Sequence, residues 1–189
     1  MLLADAQLVA EVARVHRIAP RLTNAESVAR GAVLIADIAG LGREVVASAA
    51  SLLLDPPLPT LTRQPLQVVA KLDVVLGGSG VPREPDQLVT LAGMLTHTPP
   101  TGIGADVLGL THGALDNGLA VGLIVSRLAA MASGLDPKGL CVPEVFYNRH
   151  RARFFQALSS YAGDAQELYG LYEEAMFAGA REAEGIARK

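Results

Sequence analysis

Gly118-Leu-Ala-Val-Gly-Leu-Ile-Val-Ser-Arg-Leu-Ala-Ala-Met-Ala-Ser-Gly-Leu135 is the most apolar stretch of the chain, and Arg127 is its only charged residue. It is just long enough to be weighed as a membrane span, which needs roughly 17–25 residues. Arg127 would then sit near the bilayer centre, at a cost of about 2.5–3.5 kcal/mol on insertion scales. A helix that is apolar on all sides and carries one charge fits a protein core better. The stretch therefore reads as a buried core helix, around which other elements must pack.

The flanking sequence supplies those elements as helices. Few segments alternate apolar and polar residues with the period of two that a half-buried strand requires, so the fold class is all-α. Asp5 to Ile18 forms a first helix with Leu8, Val12 and Val15 on one face, stopped at Pro20. Asn24 is placed to cap a second helix carrying Val28, Ala32, Ile35 and Ala39 at helical spacing, which breaks at Gly40 and Gly42. A helical stretch from Arg43 to Leu54 runs into Asp55-Pro-Pro-Leu-Pro, read as a loop. Pro65 opens a helix with Leu66, Val69 and Leu72 or Asp73 at helical spacing, ending at Gly77-Gly-Ser-Gly. Asp86 caps a helix to Leu95, Thr98 to Gly104 interrupts the chain, and Ala105 to Thr111 resumes it before a bend at His112 to Asn117. The last helix, Asp164 to Arg188, places Leu168, Leu171, Ala175 and Ile186 on one face.

The chain has 189 residues, one domain's worth. Half of its residues are hydrophobic, 19% are charged and mean hydropathy is +0.32, so it can bury a core and is not a disordered segment. A net charge of −3 argues against a protein whose affinity comes from neutralising phosphates along a duplex. The basic run Arg149-His-Arg-Ala-Arg, flanked by Tyr147 and Phe154-Phe155, has the composition of a single-strand stacking platform, but such a run is more often a solvated helix face. All the aromatic residues lie between Phe146 and Phe177, so the first three quarters of the core are aliphatic. The lone Cys141 excludes an intrachain disulfide and a Cys-rich zinc site, and a reducing cytoplasm is the expected location. The start Met1-Leu-Leu-Ala-Asp-Ala has neither a basic region nor a long apolar core, so a secretory signal is not expected. His16, His97, His112 and His150 share no H-x-x-x-H spacing, which leaves a histidine metal site unsupported.

The segment Thr111-His-Gly-Ala-Leu-Asp-Asn-Gly-Leu-Ala-Val-Gly-Leu, followed by Gly134-Leu-Asp-Pro-Lys-Gly-Leu-Cys-Val-Pro-Glu144, resembles the signature region of Fic-domain proteins. In that family a signature helix ends in Gly-Leu-Asp-Pro, then a short apolar stretch and Val-Pro-Glu. Counted back without a gap from Gly134, His112 meets the histidine of H-x-F-x-[D/E]-G-N-G-[R/K]-x-x-R and Asp116 its acidic position. Ala114 stands for the aromatic, Asn117-Gly118-Leu119 for G-N-G, Ala120 for the first basic residue and Leu123 for the final arginine. A one-residue slip would restore Asn117-Gly118 to the N-G of the signature but needs compensating gaps, and the ungapped reading is preferred. The resemblance covers about residues 65–144. Gly80-Val-Pro-Arg83 is loosely similar to the family's substrate-binding flap, and no S/T-x-x-x-E-[G/N] inhibitory helix is evident.

The resemblance implies a single Fic-like helical domain over residues 1–189, with a core of about 63–160, N-terminal helices within 1–54, a C-terminal helix at 164–188 and a short flap or hairpin near 77–85. It also implies roles: His112 as base toward a target hydroxyl, Asp116 toward Mg²⁺, and Asn117 and Gly118 in a phosphate cradle for ATP. Such a cradle works because glycine lets backbone N–H groups approach phosphate oxygens at a helix N-terminus while a guanidinium pairs with them. Leu119 and Ala120 supply neither, and losing one such donor costs about 10²–10³ in rate. Asp116 with Asn117 also has a plainer role as N-cap of the helix starting near Gly118. The expectation is therefore a degenerate Fic-like pseudoenzyme without AMP transfer, with a vestigial His112, acting through a protein partner, a second copy of itself or a weakly bound ligand. Nucleic acid and membrane are not expected partners. One alternative is a divergent nucleotidyl or phosphoryl transferase using His112 as base and Asp116 on a metal, with ATP and Mg²⁺ as cofactors and Arg127 or Arg83 as phosphate partner. The other is a helical oligomerisation module unrelated to Fic.

Overall fold

A computed structural model describes residues 4–18 and 24–188. Among the described residues every regular element is helical: α1 (Ala6–Ile18), α2 (Asn24–Ala39), α3 (Arg43–Ala50) with a 3-10 turn (Ser51–Leu53), α4 (Leu58–Arg63), α5 (Pro65–Val75), α6 (Pro85–Leu95), α7 (Ile103–His112), α8 (Gly118–Ala132), α9 (Glu144–Arg149), α10 (Arg151–Ser160) and α11 (Gln166–Ala187). The stop read at Pro20 lies outside the described residues.

Helix α8 is the axis of the core. Every residue from Ala120 to Met131 is buried, and α2, α3, α4, α5 and α7 pack around it. A helix without a polar face can persist only in such a position, because its whole circumference must leave water. The closest neighbour is α7, and glycine makes the approach possible. A Cβ on Gly118 would stand 1.9 Å from the Thr111 carbonyl oxygen, and one on Gly122 would stand 2.3 Å from Thr111 Oγ1. The predicted face of α1, Leu8, Val12 and Val15, is buried and packs on α11, where Leu168, Leu171 and Ala175 face inward. No described helix is long and apolar enough to cross a membrane.

Arg127 occupies the middle of this core. Its guanidinium lies over Gly31 of α2, donates to the Gly139 carbonyl at 3.0 Å and the Ser27 carbonyl at 3.4 Å, and stands 3.9 Å from the Glu144 carboxylate. Both charged side chains are almost fully buried. Asp136 is also buried. It accepts from the backbone N–H groups of Leu140 and Cys141 and faces His16 Nε2 at 2.8 Å, which closes the turn between α8 and α9.

Several local readings differ from the sequence expectation, and α9 and α10 had no counterpart in it. The segment read as a Pro-rich loop contains α4, because Pro59 lies in that helix's first turn, where its missing N–H costs nothing. Pro85 starts α6 and leaves Asp86 inside the first turn instead of at the cap, which is Glu84. The flap or hairpin near 77–85 has no strand. Gly77 and Gly80 take positive φ there, and the loop's N–H groups turn toward two aspartates instead of a strand partner.

Candidate functional site

The site begins at the junction of α7 and α8. His112 is the last residue of α7, a loop of residues 113–117 follows, and Gly118 opens α8. Two clefts meet at His112. One, of about 200 Å³, is walled by His112, Asp116, Asn117 and the first turn of α8 from Gly118 to Ala120, with Leu41 opposite. The other, of about 300 Å³, lies between the ends of α7 and α10 and includes Gln87, Leu110 and Tyr161. The imidazole is half-buried, and burial pushes its pKa below the ordinary histidine value, which favours the neutral ring. Its Nδ1 is shielded from solvent and makes no hydrogen bond. Among the described residues no carboxylate or carbonyl bonds this Nδ1, as the third member of a catalytic constellation does.

Asp116 stands on the same cleft wall but faces the loop between α5 and α6. One carboxylate oxygen accepts from the Ser79 N–H at 2.9 Å and the other from the Arg83 guanidinium at 2.5 Å. The Ser79 hydrogen bonds and the Arg83 contact hold its carboxyl below the usual aspartate range. Asn117 occupies the N-cap position of α8 without capping it. Its side-chain amide donates to the Leu76 carbonyl at 3.3 Å, and its own N–H donates to Asp73 at 2.8 Å. The expected capping role of Asp116 and Asn117 is thus replaced by bonds that tie this loop to its neighbour.

His112, Asp116, Asn117 and Gly118 line the same cleft. Arg127 does not, because it points into the core beside Glu144, away from the cleft. The two oxygens of Asp116 accept from the Ser79 N–H and the Arg83 guanidinium, and Leu119 and Ala120 bring no positive charge to the first turn of α8. Asp73, which sequence reading placed only as a candidate apolar-face position, is fully buried and accepts from both Gly80 and Asn117. A carboxylate at a core-facing position just before Gly77-Gly-Ser-Gly is the signal that could have found it, since loop N–H groups turned away from water need acceptors.

Tyr147 and Phe154 are buried and stack on each other at 4.3 Å, Arg153 pairs with Glu174, and Arg151 bonds Asn148. Among the described residues no three His, Cys, Asp or Glu side chains are grouped so as to hold a metal ion. No protein-family model, curated protein or solved structure matches the chain significantly.

Proposed function

We propose that this chain is a Fic-like all-α domain that has lost nucleotide transfer and acts through contact with a protein or a weakly bound ligand. The observation that carries the reading is the engagement of Asp116: a carboxylate on the cleft wall beside His112 spends both oxygens on Ser79 and Arg83. Support for the ancestry is the order of parts, with His112 closing one helix and a short loop leading into the buried helix whose far end runs into Gly134-Leu-Asp-Pro. Support for the loss of chemistry is the His112 Nδ1 that has no hydrogen-bond partner, the burial of Arg127 in the core, and the pairing of Arg83, the cation near the N-terminus of α8, with Asp116.

The test is the effect of ATP with Mg²⁺ on thermal unfolding and calorimetric titration, comparing the wild type with His112→Ala and Asp116→Ala. A ligand at 100 times its Kd stabilises by about 2.7 kcal/mol, a readily measured shift. The expected result is no shift at millimolar nucleotide in any of the three. A stabilisation of the wild type that both variants lose, with label transfer from ATP to protein abolished by His112→Ala, would replace this reading with an active transferase.

A further inference from the structure

We infer that residues 76–84 form a strap fastened across the α7–α8 loop by two aspartates of unequal permanence, Asp73 as a fixed anchor and Asp116 as a releasable catch. The inference rests on these contacts alone and does not depend on the Fic reading. The strap connects α5 to α6, and both aspartates bind its backbone. Asp73 Oδ2 accepts from the Gly80 N–H at 2.9 Å, while its Oδ1 accepts from the Asn117 N–H at 2.8 Å. One carboxylate thus joins the strap to the loop beneath it, within a site so tight that a Cβ on Gly78 would stand 2.2 Å from Asp73 Oδ2. Asp116 reaches up from the loop to the Ser79 N–H and to Arg83, and the Arg83 N–H returns to the Ala114 carbonyl at 2.8 Å.

The two fastenings differ in exposure, and that difference separates their roles. The Asp73 side chain has no contact with solvent, so breaking its bonds strands a buried carboxylate. The Arg83–Asp116 pair is 63% and 33% exposed, so water and salt compete for both partners. The strap can therefore lift at Ser79 and Arg83 while Gly80 and Asn117 stay seated. Lifting would free the Asp116 carboxylate on the wall of the His112 cleft, so the catch governs whether that cleft presents a negative charge. Positive φ at Gly77 and Gly80 sets the bend at each side of the catch's Ser79 contact.

The experiment is amide solvent exchange measured by NMR on the full chain, reading the Ser79, Gly80 and Asn117 N–H groups in the wild type, Asp116→Ala and Arg83→Ala. Asp116→Ala removes the acceptor of Ser79 and is expected to accelerate that amide about tenfold, the size set by losing a hydrogen bond to a charged group. Arg83→Ala, which leaves the acceptor in place, gives a smaller rise, and so does raising NaCl to 1 M in the wild type. In all three the Gly80 and Asn117 amides stay within about twofold of their starting rates, because Asp73 still holds them. Both substitutions remove exposed or half-exposed side chains, so the variants fold, and the retained Gly80 and Asn117 rates check this directly. Equal acceleration of all three amides would show a single unit with no catch, and an unchanged Ser79 rate in Asp116→Ala would show that Asp116 does not hold the strap. Either result overturns the inference, and the nucleotide test is read separately, from ligand-induced stabilisation and not from amide exchange.

Discussion

Replacing Arg127 with Met tests the role of the one charge in the core helix. The guanidinium makes two carbonyl hydrogen bonds and stands 3.9 Å from the fully buried Glu144 carboxylate. Removing one partner of a buried pair typically costs about 3–5 kcal/mol, because the remaining charge is stranded. Against a total stability of about 5–15 kcal/mol for a domain, that is a large fraction. With a urea m-value of about 2 kcal/mol/M, the midpoint should fall by about 2 M. Glu144→Gln should cost less, since Arg127 keeps its two carbonyls, and the double variant should be less destabilised than the sum by about 1–3 kcal/mol.

The pH dependence has a definite sign. Burial raises the Glu144 pKa, and Arg127 opposes that rise without reversing it. A carboxyl whose folded pKa is raised stabilises the fold fully below its unfolded value, and that contribution is lost as pH rises through the folded pKa. Arg127→Met removes the opposing charge and raises the Glu144 pKa further, so the deficit relative to wild type should be larger at pH 8 than at pH 5. Urea unfolding at the two pH values measures it. A deficit under about 1 kcal/mol at pH 8, or single-variant effects that add within about 0.5 kcal/mol, would mean that Arg127 and Glu144 are not an energetic pair.

Two further outcomes follow from the packing. Gly118→Ala would place a Cβ 1.9 Å from the Thr111 carbonyl and 2.9 Å from that of His112, both backbone atoms that cannot swing aside. It should destabilise by about 2–3 kcal/mol in urea unfolding, whereas Gly113→Ala, with open space around its Cβ, should cost under about 1 kcal/mol. Cys141 is fully buried, and burial together with the nearby Asp136 pushes its thiol well up, so a thiol reagent at pH 8 should react only after unfolding in denaturant. Stoichiometric reaction of the native protein within minutes would show that the α8–α9 turn opens.

The longer helices were legible in the sequence because each carries its own period and stops, whereas α4 was read as a loop and α9 and α10 were not placed. Leu8, Val12 and Val15 repeat at helical spacing, Gly40 breaks α2 with a positive φ, and the apolar circumference of 118–132 admits only a buried position. The neighbourhood of His112 was legible for the same reason, since residues five or six apart across a tight turn cannot separate far. The use of the charges was decided by tertiary structure. Arg127 could have faced a cleft or the core, and the choice depended on Gly31 leaving room for it on another helix and on Glu144 arriving from beyond the next turn. Asp116 could have capped α8 or met a cation, and it was claimed by Ser79 and Arg83, more than thirty residues earlier in the chain. A side chain's local sequence sets what it can bond, but long-range packing sets which partner reaches it first. Helices are specified within a few residues, whereas Asp73, Asp116 and Arg127 acquire their roles only when distant segments meet.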